Sequence, residues 1–171
     1  MNIETLEDLF GYQLQHAYYA ERTHVELLAE LSNDASSDEL ASRFTDHREE
    51  TDRHVDRLER VFEALGRQPR ASRSRTVDGL AEARRLGHES AIGDDGNASS
   101  IPGPLEIGLL AERLEIRSYE TLLTLAGRLA YADDVVEPLE ANLADERETL
   151  QALEDLETEL SIVESLEPDE A

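Results

Sequence analysis

His47-Arg48-Glu49-Glu50-Thr51-Asp52-Arg53-His54 is the stretch on which the fold turns. It lies in a run whose apolar residues Leu40, Phe44, Val55, Leu58, Phe62 and Leu65 recur at helical spacing. At about 100° per residue, His47, Glu50, Thr51 and His54 occupy the sector of those apolar residues, while Glu49 and Asp52 face solvent. A buried stripe interrupted by His, Glu and His is costly unless partner side chains or a metal ion satisfy those groups. The neighbouring helices decide between the two.

Upstream, Thr5 begins a first helix with Asp8 as its capping partner. Leu6, Phe10, Leu14, Ala17, Val25 and Leu28 form its stripe, with Glu21 in the middle and His24 on the edge. After the polar turn Ser32-Asn33-Asp34, Ser36-x-x-Glu39 reads as a capping box for the second helix, which ends at Leu65 before Gly66. A connection this short between two long helices implies an antiparallel hairpin. Downstream, residues 66–104 form a long crossover with a short helix from Val77 to His88, and Gly93 to Ser100 read as a flexible loop. Pro104 opens a third helix, Leu105 to Ala130, with Gly108, Glu112, Glu115, Tyr119, Leu122 and Ala126 on one face. Its other faces are also apolar, as expected of a central helix or one at a subunit interface. Asp134 caps a fourth helix whose stripe, Val135, Leu139, Leu143, Leu150 and Leu153, has Glu146 at its centre and Asp145 facing away. The pattern is an all-α, antiparallel four-helix bundle of the ferritin-like kind, residues 1–162, followed by an acidic tail over 163–171 expected to be disordered.

Composition narrows the chemistry. The 171 residues contain no cysteine, which excludes disulfides, thiolate metal sites and thiol nucleophiles and is compatible with a reducing cytoplasm. No basic and apolar leader opens the chain, and no apolar run approaches the roughly 20 residues of a membrane-spanning helix. The net charge of −24 argues against nucleic acid and anionic membranes as partners. All 16 basic residues are Arg. An acid-rich surface without Lys is that of a halophilic protein, on which high salt screens self-repulsion. Most carboxylates are therefore solvated surface, so a candidate ligand must be distinguished by position.

Position does distinguish Glu21, the group His47, Glu50 and His54, the pair Glu112 and Glu115, and Glu146. Each interrupts an apolar stripe near mid-helix, and antiparallel packing brings these levels together. Converging carboxylates and imidazoles are how ferritin-like proteins hold two iron or manganese ions. Five or so carboxylates with no buried Lys repel one another, and divalent cations relieve that. Taken singly, Glu21 also fits an Arg-paired carboxylate, His47 a satisfied core imidazole and Tyr119 a core tyrosine. The usual Glu-x-x-His pattern is reversed in His47-x-x-Glu50, and Thr149 stands where a His would follow Glu146.

Several blocks resemble the YciE/YciF family: Thr5-Leu6-Glu7-Asp8-Leu9-Phe10, Tyr19-Ala20-Glu21-Arg22, Phe44-x-x-His47-x-x-Glu50-Thr51, Glu112-x-x-Glu115-Ile116-x-Ser118-Tyr119 and Leu143-x-x-Glu146. The resemblance implies a ferritin-like metal-binding bundle, often dimeric, linked to stress responses and labelled a ferroxidase. Its metal positions fall on Glu21, His47 or Glu50, Glu112, Glu115 and Glu146. Some relatives carry His in place of Asp52 and Arg113; neither position faces the core here. The expectation is thus a cytoplasmic homodimeric ferroxidase that oxidises iron(II) with oxygen or peroxide. Glu115 or Glu50 would bridge two iron ions, and manganese could take their place. No catalytic group beyond the ligands is required. The alternative is a non-catalytic metal-binding or structural stress protein of the same fold.

Overall fold

The computed structural model describes residues 3–92 and 102–166, and side chains only up to 86 and 160 within its two incompletely described helices. Five helices follow in order: α1 (Leu6–Asp34), α2 (Asp38–Ala64), α3 (Arg75–Ile92), α4 (Pro104–Leu129) and α5 (Asp133–Leu166). The described residues contain no strand. The expected loop at Gly93 to Ser100 lies outside the described residues, as do residues 167–171 of the expected tail. α5 continues to Leu166, into the segment where that tail was expected.

Local chemistry sets the helix ends. Thr5 accepts a hydrogen bond from the Asp8 N–H at 3.1 Å, and the Asp8 carboxylate accepts one from the Thr5 N–H at 3.1 Å. For α2 the cap is Ser37, one residue beyond the expected Ser36; its hydroxyl accepts from the Leu40 N–H at 3.2 Å. α2 stops where Gly66 takes a φ of +65°, which lets the Arg67 N–H donate back to the Phe62 carbonyl at 2.8 Å. α5 begins at Asp133, with the Val136 N–H donating to Ala132 O at 3.2 Å, slightly before the expected Asp134 cap.

Side-chain pairs give the directions of packing. Phe10 meets Tyr131, Glu21 meets Tyr119, and His24 meets Glu112 and Glu115, so α1 and α4 are antiparallel. His47 meets Thr149, His54 meets Asp145 and Arg57 meets Asn142, so α2 and α5 are antiparallel too. α1 also packs on α2, and α4 on α5. With both hairpins antiparallel, α2 and α4 run the same way. The chain must therefore travel the length of the bundle between them, and α3 does so, packed on α4 and α1.

The bundle has two apolar ends and a polar waist. One end contains Phe10, Leu14, Phe62, Leu122 and Leu139, and the other Leu28, Leu31, Phe44, Ile107 and Leu153. Between them lie Glu21, His24, His47, Thr51, His54, Glu112, Glu115 and Glu146, each at most 4% exposed. No described helix is long and apolar enough to cross a membrane.

Candidate metal centre

Seven of those residues converge in two adjoining groups. His24, His47, Glu112 and Glu115 form one, and Glu21, His54 and Glu146 the other; within each, one candidate ligand atom per residue lies within 4.8 Å of the rest. In the first, His47 Nε2 stands 3.0 Å from Glu112 Oε1, and His24 Nδ1 stands 2.5 Å from Glu115 Oε2. In the second, His54 Nδ1 is 2.9 Å from Glu146 Oε1 and 3.4 Å from Glu21 Oε2. Glu146 joins the groups: its other oxygen, Oε2, is 3.6 Å from His47 Nε2.

The imidazoles of α2 are held from outside. His47 turns Nδ1 away from the cluster toward Thr149 Oγ1 at 3.3 Å and Glu50 at 3.6 Å. His54 turns Nε2 toward Asp145 Oδ2 at 3.3 Å, and Asp145 accepts from Arg57 at 2.6 Å. An inward nitrogen with its outer nitrogen against an oxygen is the arrangement of metal-binding histidines. A second chain of contacts supports Glu21. Arg57 donates to Asn142 Oδ1 at 3.0 Å, Asn142 donates to the Tyr119 hydroxyl at 2.8 Å, and Tyr119 donates to Glu21.

The inner atoms lack such partners. Among the described residues, thirteen buried side-chain nitrogen and oxygen atoms make no hydrogen bond of normal geometry, and eleven belong to these seven residues, several of them facing one another in the ion pairs above. Buried polar atoms normally find partners, so lone pairs converging from four helices fit a cation placed among them. The donor set, carboxylate oxygen with imidazole nitrogen and no sulfur, suits iron, manganese or zinc. Once all are ionised, the four carboxylates would supply four negative charges, which balance two divalent ions in a site closed to water.

The same crowding shifts the proton affinities of the buried groups. Burial and the neighbouring Glu21 and Glu146 push the Glu115 carboxyl well above its usual value of 4.5. Burial and Glu112 raise Glu146 to about 7. For Glu112, burial acts upward but the His47 cation outweighs it and the carboxyl falls. Burial draws the imidazoles down. In His54, contacts with Glu146 and Glu21 overcome that and lift it from 6.5 to about 10. In His47, Glu112 does the same, whereas His24 stays lowered. Buried Tyr119 is raised well above 10, first by burial and then by Glu21.

Of the residues singled out from sequence, Glu21, His47, His54, Glu112, Glu115 and Glu146 come together. Glu50 does not join them. It lies at the edge of its helical sector, 36% exposed, on the outer side of His47. His24, placed on the stripe's edge from sequence, is 3% exposed and inside the cluster. The signal for it is the spacing Glu21-x-x-His24, a Glu-x-x-His pair on α1 that puts both side chains over one turn. Asp145, expected to face away, is two-thirds buried against His54 and Arg57. Tyr119 is in the core and also bonds a cluster carboxylate. Asn142 had no sequence signal beyond being polar in an apolar stripe. A wide cleft of about 810 Å³ lined by Tyr19, Arg22, Arg73 and Asp78 lies between α1 and α3 and includes no cluster residue.

A family model described as Domain of unknown function (DUF892) matches residues 5–164. Protein YciF of Escherichia coli (strain K12) is 30% identical over 157 residues, which cover 91% of this chain and 92% of that protein. Among solved structures, YcfI from Rhodopseudomonas palustris superposes with a TM-score of 0.79 at 32% identity, over 90% of this chain and 95% of that one. The E. coli stress protein YciF superposes with a TM-score of 0.76 at 29% identity, again over 90% and 95%.

Proposed function

The chain belongs to the DUF892 family of YciF-like proteins, and from that premise we propose that its waist is a two-metal centre at which iron(II) is oxidised. The observation that carries this is the pair of adjoining buried groups, eleven of whose polar atoms converge without a hydrogen bond of normal geometry. Oxidation of two iron(II) ions to iron(III) releases two electrons. With two protons these reduce one dioxygen to hydrogen peroxide, or one peroxide to two waters. Glu21, Glu112, Glu115 and Glu146 bind the substrate ions, with Glu146 spanning the two groups. His24, His47 and His54 complete the set as neutral imidazoles. Glu50, Thr149 and Asp145 orient the histidines. The apolar ends of the bundle exclude water, which strengthens every charge contact within.

On this reading the protein acts in the cytoplasm in defence against oxidative stress, as its relative's description as a stress protein suggests. We propose a homodimer formed through the outer face of α4, on which Leu110 is exposed. The charge of −24 disfavours nucleic acid and membrane partners.

A second reading is a non-catalytic stress protein whose waist is an internal ion-pair network. The contacts His47–Glu112 at 3.0 Å and His54–Glu146 at 2.9 Å favour it, because paired charges can stay buried without metal. Metal content of protein purified in high salt, followed by iron(II) oxidation with and without Glu146→Gln, separates the two. Two bound ions with oxidation lost in the variant supports the first. No bound metal, and oxidation no faster than in buffer, leaves the second.

A further inference from the structure

One arginine stands behind two of the seven clustered residues. From Nη1 alone, Arg57 donates to Asp145 Oδ2 at 2.6 Å and to Asn142 Oδ1 at 3.0 Å. The first contact leads to His54, whose Nε2 lies 3.3 Å from the same Asp145 oxygen. The second leads through the Asn142 amide, which donates to the Tyr119 hydroxyl at 2.8 Å, and from that hydroxyl to Glu21 Oε1. Asn142 also donates to the His54 carbonyl at 3.3 Å, which ties the two branches together. Arg57 is 25% exposed, but Asn142 and Tyr119 are buried, so the second branch runs where water does not compete.

Helical spacing builds this fork. Arg57 lies one turn beyond His54 on α2, so both side chains reach the same stretch of α5. On α5, Asp145 and Glu146 stand one turn beyond Asn142. Glu21 and His54 therefore each have one atom fixed from outside and one turned into the cluster, Glu21 Oε2 and His54 Nδ1. The other group is held differently. Of His24, His47, Glu112 and Glu115, only His47 has outer partners among the described residues, and these are Thr149 and Glu50. Arg57 takes no part in them.

We propose that Arg57 is the positioning residue for one half of the centre: it presets Glu21 and His54 for one divalent cation and leaves the His24, His47, Glu112 and Glu115 group untouched. A carboxylate and an imidazole already engaged on their outer atoms have less freedom to lose when an ion arrives. Only three side chains, Glu21, His54 and Glu146, supply that position, against four at the other, so preorganisation counts for more there. Removing Arg57 takes a shared donor from Asp145 and Asn142, which loosens His54 and Glu21 together. One substitution outside the cluster should then act on one ion of two. That the ligand is a divalent cation rests on the two-metal reading; the fork of contacts does not.

The test titrates metal-free, full-length protein with manganese(II) by calorimetry, without oxygen. Arg57→Met should weaken one of the two ions 10–100-fold and leave the other unchanged. Added to His54→Gln it should cost little more, whereas added to His24→Gln its full effect should remain. Arg57→Lys keeps the charge and a donor and should recover part of the lost affinity. Imidazole nitrogen NMR of metal-free protein reads the positioning itself: Arg57→Met should move the His54 signals and leave those of His24 in place. Thermal unfolding checks that the variants fold; if Arg57→Met does not, Arg57→Lys decides by a smaller loss confined to the same ion. Equal weakening of both ions, or of neither, overturns the proposal, as do unmoved His54 signals. Two bound ions with the expected pattern but no iron(II) oxidation uphold the role of Arg57 and remove the oxidation reading. If wild type binds no manganese, the two-metal reading fails, and the His54 signals alone decide whether Arg57 sets this group.

Discussion

His54 Nδ1 stands 2.9 Å from Glu146 Oε1, and both side chains are completely buried. The pair joins α2 to α5 at the middle of the waist, where Glu146 also faces His47. Because burial and Glu112 hold Glu146 at about 7 instead of 4.5, its charge is more trouble to the metal-free fold than its contacts are worth. Glu146→Gln should therefore stabilise metal-free protein at pH 8, by on the order of 2 kcal/mol. It should also weaken manganese(II) or iron(II) binding. Thermal unfolding in chelator and calorimetric titration measure the two effects. Destabilisation in chelator would show that Glu146 is a net-favourable ion-pair partner.

The metal-free protein should lose stability as pH rises. His54 is raised from 6.5 to about 10, so its contribution is full below 6.5 and lost as pH climbs to 10. Glu146 is raised from 4.5 to about 7, so folding favours its protonated form; that contribution is full below 4.5 and gone above 7. The two act in the same direction between 4.5 and 10. Metal binding displaces these protons, so affinity should rise over the same range. Unfolding temperatures across pH, with chelator and with manganese(II), should diverge as pH increases.

Asp145→Asn removes the charge behind His54 without touching the inner atoms of the cluster. Loss of such an outer partner typically costs 10–100-fold in metal affinity. Arg147→Ala breaks only an exposed pair with Glu120 at 2.9 Å and serves as the control, with a stability change of about 0.5 kcal/mol or less. Equal affinities for the two variants would remove His54 from the ligand set.

Ala130 closes α4 with φ at +52°, a conformation that L residues with a Cβ disfavour, while the Tyr131 N–H donates to Ala126 O at 3.1 Å. Ala130→Gly should stabilise the protein by about 1 kcal/mol, measured by urea unfolding.

Gly108 has the opposite role. A Cβ there would lie 2.8 Å from a ring carbon of Phe44, so the glycine lets α4 accept that ring in the apolar end beside the waist. Gly108→Ala should cost about 1–3 kcal/mol through overpacking, despite the better helix propensity of Ala. Urea unfolding gives the sign.

Much of this architecture is carried by periodicity. Stripes such as Leu40, Phe44, Leu58 and Phe62 on α2, or Leu139, Leu143 and Leu153 on α5, are buried because apolar residues at helical spacing have one face to hide. The same phase argument put Glu21, His47, His54, Glu112, Glu115 and Glu146 inside, since each shares a turn with buried Leu, Phe or Ala. Phase is less decisive at the edge of a stripe, and there tertiary structure decided. Glu50 and His24 both flank their sectors. Glu50 slides outward beside His47, while His24 is enclosed because α3 and α4 cover that side of α1. Asp145 is drawn in by Arg57 and His54, partners distant in sequence. The chain alone thus determined four long helices and the polar residues on their inward faces, through a one-dimensional period. Which nitrogen faces the cluster and which carboxylate spans its two groups depend on contacts between helices, which no single helix encodes.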